Sequence, residues 1–517
     1  MKNAVDNAFL NFTSNTILLV TTAAVSLWMT PYLIGKLGVE VYGLVPLFLS
    51  FMTYLGLITT LLTSATGRFV SLSYYKGDTR QAMVYMASSF WGILAISTVV
   101  ILASMVLMPF LDKVFSIPAG YESQARGLFM LIVTSSMLAA INSTFGVPFF
   151  IQHRFFIMDI FGIFSKVVQV AVIVLCFRYV SASLAFVGWG TAVSSLCVLG
   201  LTIIFAYILM PEIKITLSEF DFKAFREMTS MGSGVLINQL GGLLYMNSDL
   251  IVINILMGAT ATGMYGPIVQ WATLIGTIAA VVTRSFDPLV MELLAKGDYE
   301  TLKSNLFRLT KMLGLILGLP ICLVCGFSKP LLLLWLGKDF VNLYKLMILL
   351  TLGQIIPYSL GTVFGIFRGL NTLKIPGVVT IVAGVFNVIL AVILIKYTPL
   401  GMYGAGIATI IAVFWKGVLF NIIYLSRQLK FSSWKMWDAL IIGCSPAVIF
   451  TVIIFIISGY MAIDHPLRLF IYGAIFSLIY CIVVYRLFMN KVDRRFTLRI
   501  LKADRLLLPQ IVELMVR

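Results

Sequence analysis

Three charged side chains stand inside otherwise apolar sequence. Lys166 lies in Ile163-Phe164-Ser165-Lys166-Val167-Val168, Lys416 in Phe414-Trp415-Lys416-Gly417-Val418, and Asp249 in Asn247-Ser248-Asp249-Leu250-Ile251. An ionisable group in such a setting is costly unless it is paired, wetted or drawn to an interface. A lysine there either holds an anion or snorkels to the nearer surface. A lone carboxylate either answers to a proton or small cation, or accepts hydrogen bonds from a neighbouring helix. Arg68 and Arg284 stand at the ends of apolar runs. Such guanidinium groups grip phosphate with two parallel bonds, or simply anchor the chain at a surface. Asp287 follows Arg284 by three residues, a spacing that pairs them on one helix face. Asn238 and Gln239 can meet hydroxyl groups of a ligand or bridge helices.

The elements that carry these residues are membrane helices. Of the 517 residues, 60% are hydrophobic and 11% charged, and mean hydropathy is +1.02. A soluble chain carries about 25% charged residues, so a soluble surface cannot be built. Disorder is excluded too, because it requires low hydrophobicity. Crossing a bilayer takes about 20 helical residues, and the windows at roughly 9–33, 41–64, 82–108, 126–146, 159–178, 184–209, 231–257, 263–287, 305–328, 342–366, 376–396, 402–424, 437–459 and 468–489 meet that need. They are continuously apolar rather than alternating, so they read as helices and not barrel strands. The first window has only Lys2 before it and is too long for a cleavable signal peptide. The expectation is an all-α polytopic membrane protein with about fourteen transmembrane helices.

An even number of spans puts both termini on one side. That side collects most of the 37 Lys and Arg, in groups such as Arg68, Lys76 and Arg80, or Arg284, Lys296, Lys303, Arg308 and Lys311. The excess predicts cytoplasmic termini. The net charge of +16 then follows from topology and gives no ground for a nucleic-acid partner. After residue 489, Lys491, Arg494, Arg495, Arg499, Lys502 and Arg505 alternate with Leu and Ile, which predicts a basic interfacial tail over 490–517.

The chain repeats itself. Gly38 and Gly258 are 220 positions apart, as are Lys76-Gly77-Asp78 and Lys296-Gly297-Asp298; Phe145-Gly146 recurs as Phe364-Gly365, and Gly188-Trp189-Gly190 aligns with Gly404-Ala405-Gly406. The expected organisation is a lobe of six helices over 1–210, a polar cytoplasmic linker over 211–230, a second six-helix lobe over 231–425, and two added helices over 426–489. Six spans per copy let both enter from one side, related by a two-fold axis along the membrane normal. Two such bundles with a cavity between them describe a transporter better than an enzyme.

Other signals are weaker. Asp78 and Asp298 suit helix N-caps, Gln81 completing a capping-box pattern in the first copy. Cys322-Leu323-Val324-Cys325 has redox spacing but reads as packing in an apolar span. His153 and His465 fall in loops on opposite sides, so no metal site is expected, and no Walker A motif occurs. Before the tail, no loop is long enough for a soluble catalytic domain, so no catalytic residues are assigned.

Pro31-Tyr32-Leu33-Ile34-Gly35-Lys36-Leu37-Gly38 with Tyr42-Gly43, and Asn247-Ser248-Asp249-Leu250-Ile251-Val252-Ile253 with Gly258 and Tyr265-Gly266, resemble the polysaccharide and O-antigen flippases of the multidrug/oligosaccharidyl-lipid/polysaccharide exporter superfamily. The resemblance spans essentially the whole chain. It implies two lobes in a V, in a bacterial inner membrane, and translocation of a polyprenyl-pyrophosphate-linked oligosaccharide to the outer leaflet by alternating access. Arg68, Arg284, Lys166 and Lys416 would attract the pyrophosphate, Asn238 and Gln239 would meet sugar, and Asp249 and Asp287 are the ion-coupling candidates. No cofactor is expected beyond proton or sodium coupling. Implied partners are the lipid-linked oligosaccharide and membrane lipids, with a polysaccharide polymerase and a chain-length regulator. The alternatives are a peptidoglycan lipid-precursor flippase and a multidrug/cation exporter of the same superfamily. From other classes come a membrane enzyme or an assembly scaffold.

Overall fold

A computed structural model describes residues 2–212 and 215–494. The expected tail therefore lies, from residue 495 onward, outside the described residues, as does Lys214 of the expected linker. The first half comprises α1 (Lys2–Leu37), α2 (Val39–Tyr42), α3 (Leu44–Tyr75), α4 (Thr79–Leu107), α5 (Leu111–Val114), α6 (Glu122–Phe145), α7 (Val147–Ile151), α8 (Phe155–Tyr179) and α9 (Leu184–Leu209). The second comprises α10 (Phe222–Met257), α11 (Ala259–Arg284), α12 (Asp287–Ala295), α13 (Tyr299–Gly326), α14 (Ser328–Leu336), α15 (Tyr344–Leu352), α16 (Ile355–Ser359), α17 (Gly361–Gly369), α18 (Lys374–Tyr397) and α19 (Met402–Val413), then a π-helical stretch over Phe414–Phe420 and α20 (Asn421–Leu429). Two further helices, α21 (Ser433–Ser458) and α22 (Pro466–Val483), follow. Among the described residues there is no strand, and fourteen helical segments are long and apolar enough to cross a membrane.

The helix ends show why the copies match in sequence. Lys76-Gly77-Asp78 closes α3 with a left-handed Gly77 (φ 82°). The Asp78 N–H donates to the Ser73 carbonyl and the Gly77 N–H to that of Tyr74, both at 3.0 Å. This pair of bonds satisfies the last carbonyls of the helix. Gly297 (φ 67°) repeats the turn, with Asp298 donating to Leu293 and Gly297 to Leu294. Each aspartate then caps the next helix, Asp78 accepting from the Gln81 N–H at 2.9 Å and Asp298 from the Thr301 N–H at 3.1 Å. The reciprocal half of the expected capping box is absent at the first cap, because the Asp78 N–H is already spent on Ser73. The same turn recurs where neither residue is glycine: His153 (φ 56°) and Asn371 (φ 55°) stand 218 positions apart, and the N–H after each reaches back five residues at 2.9 Å.

By compactness the chain divides differently from its duplication. Among the described residues, one unit holds those up to 267 and 374–412, the other 268–373 and those from 413 to 494. In the first, α10 packs along both α3 and α18, and α9 packs against α6 and α8. In the second, α21 lies along α13, and α22 joins them through the Tyr480 hydroxyl, which donates to the Leu315 carbonyl at 2.8 Å. The α13–α21 crossing is backbone on backbone. A Cβ at Gly314 would meet the Gly443 carbonyl carbon at 2.8 Å, and one at Gly443 would meet the Lys311 carbonyl oxygen at 2.8 Å. Small residues at such crossings let helices approach closely in lipid. Cys322 and Cys325 are buried and unbridged in this packing, as a structural reading of that pair expects.

Gly443→Leu is expected to destabilise the protein by about 1–3 kcal/mol, the usual cost of overpacking. Gly473→Leu, where nothing lies within 4 Å of the added Cβ, is expected to change stability by less than about 0.5 kcal/mol. Thermal unfolding of the two variants in one detergent checks the contrast, and equal shifts would contradict the crossing.

Candidate functional site

Asp249 is the centre of a polar cluster built by two hairpins. It precedes the turn at Gly258 by nine residues and Tyr265 follows it by seven, so α10 and α11 bring the two level. The Tyr265 hydroxyl donates to Asp249 Oδ2 at 2.8 Å. Asn387 and Thr409 flank the α18–α19 turn in the same manner. The Thr409 Oγ1 lies 2.8 Å from Asp249 Oδ2 and 3.3 Å from Asn387 Oδ1. Having one hydrogen, it donates to the shorter contact. The Asn387 amide donates to the Tyr245 carbonyl at 3.3 Å, which ties α18 to α10. Tyr265 and Asn387 are fully buried, and Asp249 is 5% exposed.

The carboxylate is unevenly served. Oδ2 takes two hydroxyl donors, whereas Oδ1 is buried without a hydrogen-bond partner among the described residues. Burying a charged oxygen unpaired is expensive. Oδ1 is therefore the open position of the cluster, the oxygen at which a proton or a small cation could be held. All four residues belong to the first compact unit.

The four cations expected to attract phosphate are not gathered in one unit. Arg68 (exposed, on α3) and Lys166 (half-buried, on α8) belong to the first, Arg284 and Lys416 to the second. Lys166 donates to Gln169 Oε1 one turn along its helix at 3.3 Å. Lys416 is half-buried within the π-helical stretch. Arg284 is exposed and is the last residue of α11, where a cation suits the helix dipole. Gln239 is exposed on α10; Asn238 lies on the same helix, and its side chain is outside the described set.

Asp287 corrects one expectation. It does not share a helix with Arg284, because α11 ends at Arg284 and α12 starts at Asp287. Pro288 explains the break: it has no N–H for the Arg284 carbonyl, and its ring would clash with that carbonyl. Asp287 instead pairs with Arg368 at the end of α17, at 2.6 Å. Its Oδ1 fills the space beside Gly365, where an added Cβ would lie 2.8 Å away. A second ion cluster escaped the sequence entirely. Asp493, 3% exposed, accepts from Lys311 at 2.6 Å and lies 3.7 Å from Arg308 Nε, tying the segment after α22 to α13.

A family model described as "Polysaccharide biosynthesis protein" matches residues 37–345. The uncharacterized membrane protein EpsK of Bacillus subtilis (strain 168) is 26% identical over 490 residues, 95% of this chain and 97% of its own length. Among solved structures, the lipid II flippase MurJ in its inward closed conformation superposes with a TM-score of 0.68 at 16% identity, covering 92% of this chain and 99% of that one. A multidrug resistance MATE family transporter of the MOP superfamily, inward-facing, gives 0.65 at 16% identity over 82% and 99%. The fold is that of these two-lobed membrane transporters.

The Tyr265–Asp249 bond is testable by a mutant cycle. Tyr265→Phe is expected to cost about 1–3 kcal/mol, as for a donor lost to a buried charged group. The cost should shrink to near zero once Asp249 is replaced by alanine. Equal losses of thermal stability in both backgrounds would mean that the tyrosine supports the fold without that bond.

Proposed function

We propose, from the premise that this chain belongs to the polysaccharide biosynthesis protein family, that it is a flippase moving polyprenyl-pyrophosphate-linked oligosaccharide units from the cytoplasmic to the outer leaflet. Family membership over residues 37–345 is the observation that carries this reading. The fold supports it, because it is shared with the lipid II flippase MurJ. The membrane is the inner membrane of a bacterium, with both termini on the cytoplasmic side that the excess of Lys and Arg favours. The product supplies O-antigen or another surface polysaccharide, and a polymerase and chain-length regulator act next on it.

The residues divide by charge. Arg68, Arg284, Lys166 and Lys416 supply attraction for the pyrophosphate, and Asn238 and Gln239 meet sugar hydroxyls. Asp249 is the ion-responsive group: filling its open oxygen with a proton or sodium ion changes the charge of a buried cluster joining four helices. Asp287, held by Arg368, is the weaker coupling candidate. No step requires covalent chemistry, so the protein is read as a transporter and not an enzyme. A peptidoglycan lipid-precursor cargo is the second reading, favoured by the likeness to MurJ over 92% of the chain.

The test is leaflet translocation of labelled lipid-linked oligosaccharide in proteoliposomes, with and without a proton or sodium gradient. Asp249→Asn is expected to remove the response to the gradient. Replacing Arg68, Arg284, Lys166 and Lys416 together by alanine is expected to slow translocation by at least about a hundredfold, the effect of losing several charge-assisted contacts. Full activity of the fourfold variant at normal abundance would remove the cations from the mechanism. Preference for lipid-linked peptidoglycan precursor in the same vesicles would select the second reading.

A further inference from the structure

Among the described residues, three that are not glycine hold a left-handed backbone: His153, Asn371 and Lys430 (φ 51°). Histidine and asparagine tolerate that region, whereas a lysine there is unusual, and glycine is the residue that a helix end of this shape selects. Lys430 ends α20. Its N–H and that of Phe431 both return to the Ser426 carbonyl, so the turn is closed by backbone bonds that need no lysine. The reason for a lysine lies in its side chain, which is exposed.

Contacts within the second compact unit fix the surroundings. The Phe431 ring packs edge-on against Phe307 of α13, with centroids 5.1 Å apart. The Thr310 hydroxyl, one turn along α13, donates to Met436 Sδ at 3.8 Å and holds the first turn of α21. The chain from Phe431 to Met436 is thus pinned at both ends. The segment after α22 reaches the same stretch of α13, where Lys311 and Arg308 share the buried carboxylate of Asp493. The Asp493 side chain also accepts from the Asn490 N–H at 3.2 Å, and the Asn490 side chain from the Asp493 N–H at 2.8 Å. Asp493 is therefore fully engaged and neutralises nothing at the surface. Arg427, Lys430, Lys435 and Lys491 are exposed, and none forms an ion pair among the described residues. Lys296 and Lys303, on the approach to α13, do have partners, in Glu292 and Glu300. Asp438, one turn beyond Lys435, is the one exposed carboxylate on these segments.

Trp434 shows what this basic surface faces. It is 75% exposed and heads a row on α21 with Ile441 and Val448, both exposed and each two turns further on. An exposed apolar row on a spanning helix faces acyl chains, and a tryptophan at its end stands at headgroup level. The lysines beside it are then at the depth of lipid phosphates.

We propose that the α20–α21 turn, with Arg427, Lys430, Trp434 and Lys435 and flanked by Lys491, is a binding site for the headgroup of an anionic phospholipid. Basic clusters between the ends of spanning helices attract such headgroups. The site uses none of the residues assigned to the cargo and is independent of which cargo is moved.

Purified full-length protein in one neutral detergent tests it, with phosphatidylglycerol and phosphatidylcholine as probes, bound lipid read by native mass spectrometry and thermal unfolding followed alongside. The unaltered chain is expected to retain phosphatidylglycerol in preference to phosphatidylcholine. Lys430→Gln/Lys435→Gln/Lys491→Gln is expected to weaken that retention about a hundredfold, at about fivefold for each cation removed beside a headgroup. Lys338→Gln/Lys345→Gln/Lys396→Gln takes as many exposed lysines from the opposite ends of the spans and is expected to leave retention unchanged. Lys430→Gly separates the site from the fold. Glycine suits the left-handed turn, so thermal stability without lipid should not fall, whereas phosphatidylglycerol retention should fall about fivefold. Equal retention of the two lipids by the unaltered chain, undiminished retention by the first triple variant, or an equal loss in the second would each overturn the site. These readings need no cargo, so a failed translocation assay leaves the site standing.

Discussion

A bilayer offers no water to an unpaired backbone group, and that constraint organises this chain. Among the described residues every long element is a helix, and the breaks between helices spend their backbone groups economically. At Lys76-Gly77-Asp78 the same three residues close α3 and open α4: two N–H groups return to the carbonyls of the finished helix, and the aspartate side chain takes the Gln81 N–H in the first turn of the next. Lys296-Gly297-Asp298 repeats the arrangement. His153 and Asn371 show that the turn forms without glycine too, so the shape of the break does not depend on one residue type. The duplicated architecture is thus most visible in the positions where the chain must turn.

The same constraint explains how the helices meet. Lipid gives no hydrophobic drive for one apolar helix to leave it for another, so contact area and closeness decide. Gly314 and Gly443 bring α13 and α21 together, and Gly43 and Gly263 bring the α2–α3 junction against the start of α11. The two crossings differ in their surroundings. The first is reinforced by Tyr480 and by Phe450, Phe327 and Phe476 around it, which fastens the added pair of helices to the second copy. The second joins equivalent positions of the two copies, with few side chains involved.

Much of this was legible in the sequence, for physical reasons that differ by feature. Helix number and class were legible because spanning length and apolar composition act locally. The repeat was legible because turn residues keep their spacing. The Arg284–Asp287 pairing was misread although Pro288 stood beside it, a breaker that separates α11 from α12. Asp249 stood out by its chemistry, and Tyr265 was within reach of reasoning, since a hairpin about Gly258 puts the two level. Thr409 and Asp493 were not legible: their partners lie 160 and 182 residues away, and no local pattern encodes which helices become neighbours.

The two copies share their crossing but not their carboxylate. With the 220 offset Asp249 corresponds to Met29 and Tyr265 to Val45, and with the later offset of 216 Thr409 corresponds to Val193. The first copy is apolar where the second is charged and hydrogen-bonded. The polar cluster is therefore one-sided, even though the close contact between Gly43 and Gly263 is shared by the two copies. The cluster nevertheless reaches across the division: Asp249 sits on α10, which packs along α3 of the first copy as well as α18 of the second. The end of that same helix leads through Gly258 into the α11 segment that meets Gly43. The buried carboxylate of Asp249 and the close contact at Gly263 thus stand on adjoining parts of one hairpin, about the turn at Gly258.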